Sequence, residues 1–193
     1  VAGWLLLAAA AVVSPAQTGS FFSTEGAAKV VKLTGQVSVL RDASPWALQI
    51  GNSVRVQQVI VTGEDGFAVF ELSDGSKFEV YPNSRVTFRA NPSNWRDLLD
   101  VWLGRVKVQI QKLSGGEANP HRIKTPTAVI SVRGTTFDVD VEDEDSTLVS
   151  VEEGLVSVEH AILPSKARLL TGGEYLRIYR DQPLAKSNPG RDA

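Results

Sequence analysis

Any chemistry in this chain has to come from its two histidines, 22 carboxylates, 20 basic side chains and its hydroxyls, because the 193 residues contain no cysteine. Thiolate catalysis, disulfides and cysteine zinc sites are therefore excluded. His121 lies in the loop-like run EANPHR and His160 closes an alternating run, each isolated in sequence. No serine carries the Gly-x-Ser-x-Gly pattern that sets a nucleophile on a strained turn, so a Ser-His-Asp assembly has no local support. Both histidines read as surface residues of no special role. Gly115-Gly116 lacks the Lys-Ser/Thr pair of a phosphate-cradling loop. No cofactor is implied.

The densest polar chemistry is in TPTAVISVRGTTFDVDVEDED, residues 125–145. Asp138 and Asp140 alternate with valines and so share one face of a strand, and Glu142, Asp143, Glu144 and Asp145 follow directly. Hard cations want six to eight oxygens from a shaped loop, usually bent by a glycine. This run has neither the spacing nor the glycine, so no metal is expected and it reads as a solvated hairpin tip. An opposed carboxylate pair for glycoside chemistry is not encoded locally, and no catalytic residue is assigned.

The elements that position these residues are strands. Alternation recurs between turn signals in VVKLTGQVSVL (30–40), GFAVFEL (66–72), SKFEVY (76–81), GRVKVQI (104–110), TTFDVDV (135–141), GLVSVEH (154–160) and EYLRIY (174–179). Many short strands with frequent turns predict an all-β fold, an antiparallel jelly-roll-like β-sandwich. The loop Ser73-Asp74-Gly75 pairs Leu72 with Ser76, Phe70 with Phe78 and Ala68 with Val80, keeping both phenylalanines on one face.

Three glycines interrupt this alternation. Ile130 and Val132 share one parity and Phe137 and Val139 the other, so Gly134, beside Arg133 and Thr135, must absorb a residue at a bulge or corner. The same switch falls at Gly104, between Val101 and Leu103 on one side and Val106 and Val108 on the other. It falls again at Gly154. Gly104, Arg133, Gly134, Thr135, Phe137 and Gly154 thus form a candidate structural motif in which strands change sheets. Arg133 would satisfy carbonyls freed at the bend or pair with a carboxylate such as Glu153.

One island breaks the β pattern. In ANPSNWRDLLDVWLG (90–104), Trp95, Leu98, Leu99 and Trp102 fall at i, i+3, i+4 and i+7, which predicts a short helix near 93–102. Trp95, Trp102 and Arg133 are the candidate binding residues. The first charged residue is Glu25, and Val1–Val13 is apolar throughout. Thirteen residues of helix span about 20 Å, short of a hydrocarbon core, and Ser14-Pro15-Ala16 fits a small-x-small cleavage site. Residues 1–16 are therefore expected to be an export signal, 17–29 a connector, 30–181 the β-domain and 182–193 a flexible tail. The net charge of −2 offers no footprint for nucleic acid, and membrane contact is expected only through the N-terminal segment if it is uncleaved.

Taken together, GQVSV (35–39), GNSVRVQQVIVTGEDGFAVFEL (51–72), SDGSKFEVYPNSRV (73–86), GRVKVQ (104–109), TPTAVISVRGTTFDVDV (125–141) and LLTGGEYLRI (169–178) resemble the FecR-domain family, over about Gly35 to Ile178. The resemblance implies a jelly-roll-like domain outside the cytoplasmic membrane, periplasmic or extracellular, with no catalytic residues to carry over. The expected function is a non-catalytic binding or scaffold module of the bacterial cell envelope, with a protein or glycan partner. The alternative is the sensory part of a transmembrane anti-sigma regulator, which answers an outer-membrane transducer. A glycan-active enzyme ranks below both.

Overall fold

The computed structural model describes residues 27–89, 97–111, 121–132, 134–185 and 188–189. Seventeen strands make up the described chain. The first eight are β1 (Ala28–Thr34), β2 (Val37–Arg41), β3 (Ser44–Ala47), β4 (Ser53–Val54), β5 (Val59–Thr62), β6 (Phe67–Glu71), β7 (Lys77–Val80) and β8 (Arg85–Phe88). The long β9 (Asp97–Gln109) follows. After it come β10 (His121–Lys124), β11 (Ala128–Val132), β12 (Thr136–Asp143), β13 (Ser146–Glu153), β14 (Leu155–His160), β15 (Arg168–Thr171), β16 (Glu174–Tyr179) and β17 (Asn188–Pro189). The last of these lies within the 182–193 tail, and Leu184 just before it is buried.

The strands form two layers that share β9. One layer runs β4-β1-β6-β7-β9-β12-β13-β16-β17, and the other β3-β2-β5-β8-β9-β10-β11-β14-β15. Every pair is antiparallel except β9–β10. The alternating strands do what their pattern requires. Val37, Val39, Ile60, Phe70, Phe78, Val106, Val108, Ile130, Phe137, Val139, Val156 and Val158 all point into one core between the layers. The β6–β7 hairpin has the register read from sequence, with Phe70 opposite Phe78, their rings stacked at 4.8 Å, and Gly75 at φ +80°.

Four of the chain crossings between layers fall at positive-φ glycines: Gly35 before β2, Gly134 before β12, Gly154 before β14 and Gly173 before β16. Gly104 makes the crossing inside a strand. Its N-terminal side pairs with β8 and β10 in one layer, its C-terminal side with β7 and β12 in the other. Gly104 has φ +83°, and a Cβ there would lie 2.2 Å from Ser84 Oγ and 2.7 Å from Ser84 Cα. Only glycine fits both the angle and the space.

The helix expected near 93–102 is not formed over its described part, because Asp97–Trp102 belongs to β9. Two bulges explain why the periodicity misleads. Leu98 is the extra residue between the Arg122–Asp97 and Ile123–Leu99 pairs, and Trp102 the extra residue between the Val86–Val101 and Arg85–Leu103 pairs. Each bulge sets two neighbouring side chains on one side, mimicking helical spacing. Leu98 and Leu99 are both buried, whereas Trp102 and Leu103 are both exposed. Leu103 therefore does not share the buried face of Val101. Among the described residues, no helix is long and apolar enough to cross a membrane.

Candidate functional site

The bulge in β9 sets two neighbouring apolar side chains on the surface. Trp102 and Leu103 are 50% and 44% exposed, and Ile162, 50% exposed, joins them across a cleft of about 1010 Å³. Pro126 and Val59 complete its apolar lining. Glu142, Asp143 and Glu144, at the tip of the β12–β13 hairpin, form one rim, and Arg85 and Arg180 also line it. Exposed apolar side chains gathered in one concavity are the usual mark of a binding surface.

Hydrogen bonds hold each wall. The indole N–H of Trp102 donates to Thr87 Oγ1 at 3.0 Å, which pins the half-exposed ring. Thr127 Oγ1 donates to Thr147 Oγ1 at 2.7 Å, and Thr125 Oγ1 lies 2.9 Å from that same oxygen. Thr125 Oγ1 also accepts the N–H of Ala128 at 2.9 Å. These threonines tie the β10–β11 turn, and with it Pro126, to β13 in the opposite layer. The Thr-Pro-Thr of the 125–145 stretch is thus the anchor of a cleft wall.

His160 positions the second wall. Its Nδ1 accepts the N–H groups of Ile162 and Leu163 at 3.1 and 3.0 Å, so the proton sits on Nε2 and points to the Tyr179 carbonyl 2.9 Å away. That arrangement carries Ile162 into the cleft. The expectation of a surface histidine is corrected here, since His160 is only 8% exposed. His121 is equally buried, 3.5 Å from Asp74, whose carboxyl is held below its ordinary value chiefly by that histidine. Both imidazoles are enclosed by tertiary packing that neither local sequence announces.

The acidic stretch divides by strand direction. Asp138 is buried beneath Arg105, 2.7 Å away, with the guanidinium over the Tyr81 ring. Glu142 pairs with Arg177 at 2.7 Å and Asp145 with Arg180 at 3.9 Å. Asp143 and Glu144 are exposed. Among the described residues no group of three or more His, Asp or Glu is arranged to hold a metal.

Of the residues singled out by sequence, Trp102 lines the cleft and Gly104 turns the strand two residues beyond it. Gly134, Thr135 and Gly154 meet elsewhere, at a second corner. A Cβ on Gly154 would lie 2.6 Å from Thr135 Cγ2, and Phe137, two residues after Thr135, is fully buried. Trp95, Arg133 and the 1–16 segment lie outside the described residues. Leu103, Ile162, Pro126 and Arg85 were missed because they converge from distant strands and loops.

A two-layer all-β domain of this kind is also found in known proteins. The family described as FecR protein matches residues 58–157, from the end of the β4–β5 connection into β14. The chain belongs to the FecR family. Its fold is shared with two crystal structures of a candidate anti-sigma factor from Parabacteroides distasonis ATCC 8503. Their TM-scores are 0.57 and 0.56, each at 18% identity over 68% of this chain. The chain spans 59% of the length of those proteins. No curated protein matches it.

Proposed function

We propose that this chain is a non-catalytic FecR-type binding module of the bacterial cell envelope, which holds a protein partner in the cleft over Trp102. The observation that carries the reading is the β9 bulge. It turns two adjacent apolar side chains outward into one concavity whose walls are fixed by Thr87, the threonine cluster and His160. A rigid aromatic anchor in a pre-formed site loses little side-chain entropy on binding, which is where interface energy concentrates. Both histidines are committed to structural contacts, and Glu142 and Asp145 to arginines. Little is left there for acid–base work.

In-cell photocrosslinking tests this reading. A photoreactive phenylalanine analogue at position 102 is expected to give a discrete adduct with an envelope protein. The same group at Lys77, on the outer face of the other layer, is expected to give none. Equal labelling from both positions, or no adduct from 102, refutes the docking site.

A second reading is favoured by the likeness to a candidate anti-sigma factor. The module would then be the sensory part of a regulator, and Trp102→Ala in cells would change transcription of one sigma-dependent gene set. Unchanged transcripts, with the variant protein present at normal level, would remove that reading.

A further inference from the structure

We infer that the segment received by this cleft is an extended stretch of a partner protein carrying a basic side chain next to an apolar one. The inference rests on the docking reading above and adds the chemistry of the partner. Size comes first. At about 1010 Å³ the cleft sits at the upper end of the range for small-ligand sites, so it accepts a short run of residues rather than a folded domain.

Charge bookkeeping at the rim comes next. Arg177 is engaged by Glu142, and Arg180 is nearest Asp145. Asp143 and Glu144 have no cationic partner within salt-bridge distance among the described residues. The one acceptor role assigned to Asp143 is internal to the turn, from the Asp145 N–H at 2.9 Å. The hairpin tip therefore adds two carboxylates without an ion-pair partner among the described residues to a cleft that Trp102 also lines. The indole ring is electron-rich and its N–H is already spent on Thr87, so the ring and the carboxylates both favour a cation. Leu103 and Ile162 favour an aliphatic or aromatic neighbour beside that cation. Arg85, on β8 beside Leu103, has no ion pair among the described residues and suits a partner carbonyl or carboxylate.

The test selects peptides from a random-sequence phage library on the full chain, with counter-selection on Ile162→Ser, an exposed-loop change. Binding of the selected peptides is then measured by fluorescence anisotropy at low and high salt. The expected peptides place Lys or Arg within a residue or two of an aromatic or aliphatic residue. Their affinity should fall about tenfold on Ile162→Ser, and about three- to tenfold on the double change Asp143→Asn/Glu144→Gln, the latter loss shrinking at high salt. The amides keep the turn's hydrogen-bond acceptor, so folding is not at issue in that variant. Peptides that depend on Ile162 but are acidic or neutral, and ignore the Asp143/Glu144 change, overturn the inference while leaving the docking site standing. Failure to select any peptide that depends on Ile162 overturns both.

Discussion

Replacing Gly104 with alanine separates the two demands placed on the point where β9 leaves one layer for the other. The first demand is conformational: at φ +83° an L-residue pays about 1–2 kcal/mol. The second is spatial. The new Cβ would meet Ser84 Oγ at 2.2 Å and, less forgivingly, Ser84 Cα at 2.7 Å, while that hydroxyl also accepts the Arg105 N–H at 3.1 Å. Overpacking of this kind costs about 1–3 kcal/mol, because relief requires the start of β8 to shift. The sum is about 2–5 kcal/mol, a large share of the roughly 5–15 kcal/mol that holds a domain together. For a domain of about 150 residues, each kcal/mol moves the melting midpoint by about 2–4 °C. Gly173→Ala is the matched control, at φ +85° with nothing within 4 Å of its Cβ, so it pays the conformational part alone. Urea titration of both variants, with m unchanged, reads the difference. Equal losses in the two, or a loss below about 1 kcal/mol at Gly104, would refute the close-packed corner.

Two further outcomes are expected. Ala43 occupies φ +65° in the two-residue turn between β2 and β3, so Ala43→Gly should stabilise by about 0.5–1 kcal/mol, the strain relieved less the extra chain entropy of glycine, as a higher urea midpoint. Burial raises the Asp97 carboxyl, but Lys124 at 2.7 Å and Arg122 at 3.1 Å outweigh it and hold the group below its ordinary value of 3.8. A depressed carboxyl contributes stability that is full above the unfolded value and drains as pH falls through and below about 4. Stability measured from about pH 6 down to about pH 2 should therefore decline less steeply in Asp97→Asn than in the parent, and parallel curves would contradict the ion-pair assignment.

The fold class was legible because strand alternation is a local property: each of the runs around Phe70, Phe78, Val106 and Val158 reports its buried face without help from the rest of the chain. The β6–β7 register was legible for the same reason, since only one loop length aligns the two phenylalanines. Residues 97–103 were not. Two bulges placed Leu98 with Leu99 and Trp102 with Leu103, and the resulting spacing imitates a helix until β8 and β10 are known to pair on either side. The cleft was legible only through Trp102. Ile162 reaches it because His160 holds the following loop, and Pro126 because threonines on two layers meet. Neither relation exists within a short window of sequence.

Every hydrogen-bonded strand pair described between the half of the chain before β9 and the half after it passes through β9 itself. The cleft straddles this spine: Val59 and Arg85 come from the earlier half, Pro126, Glu144 and Ile162 from the later one. A guest seated there would add a further brace between two wings already joined by β9, by the common core and by the His121–Asp74 contact. Because nine strands at about 4.8 Å spacing make each layer about 40 Å wide, a small change in the angle between the wings becomes a much larger displacement at the outer strands. Occupancy of a short groove would in this way be legible at the far margins of the molecule as a change of twist.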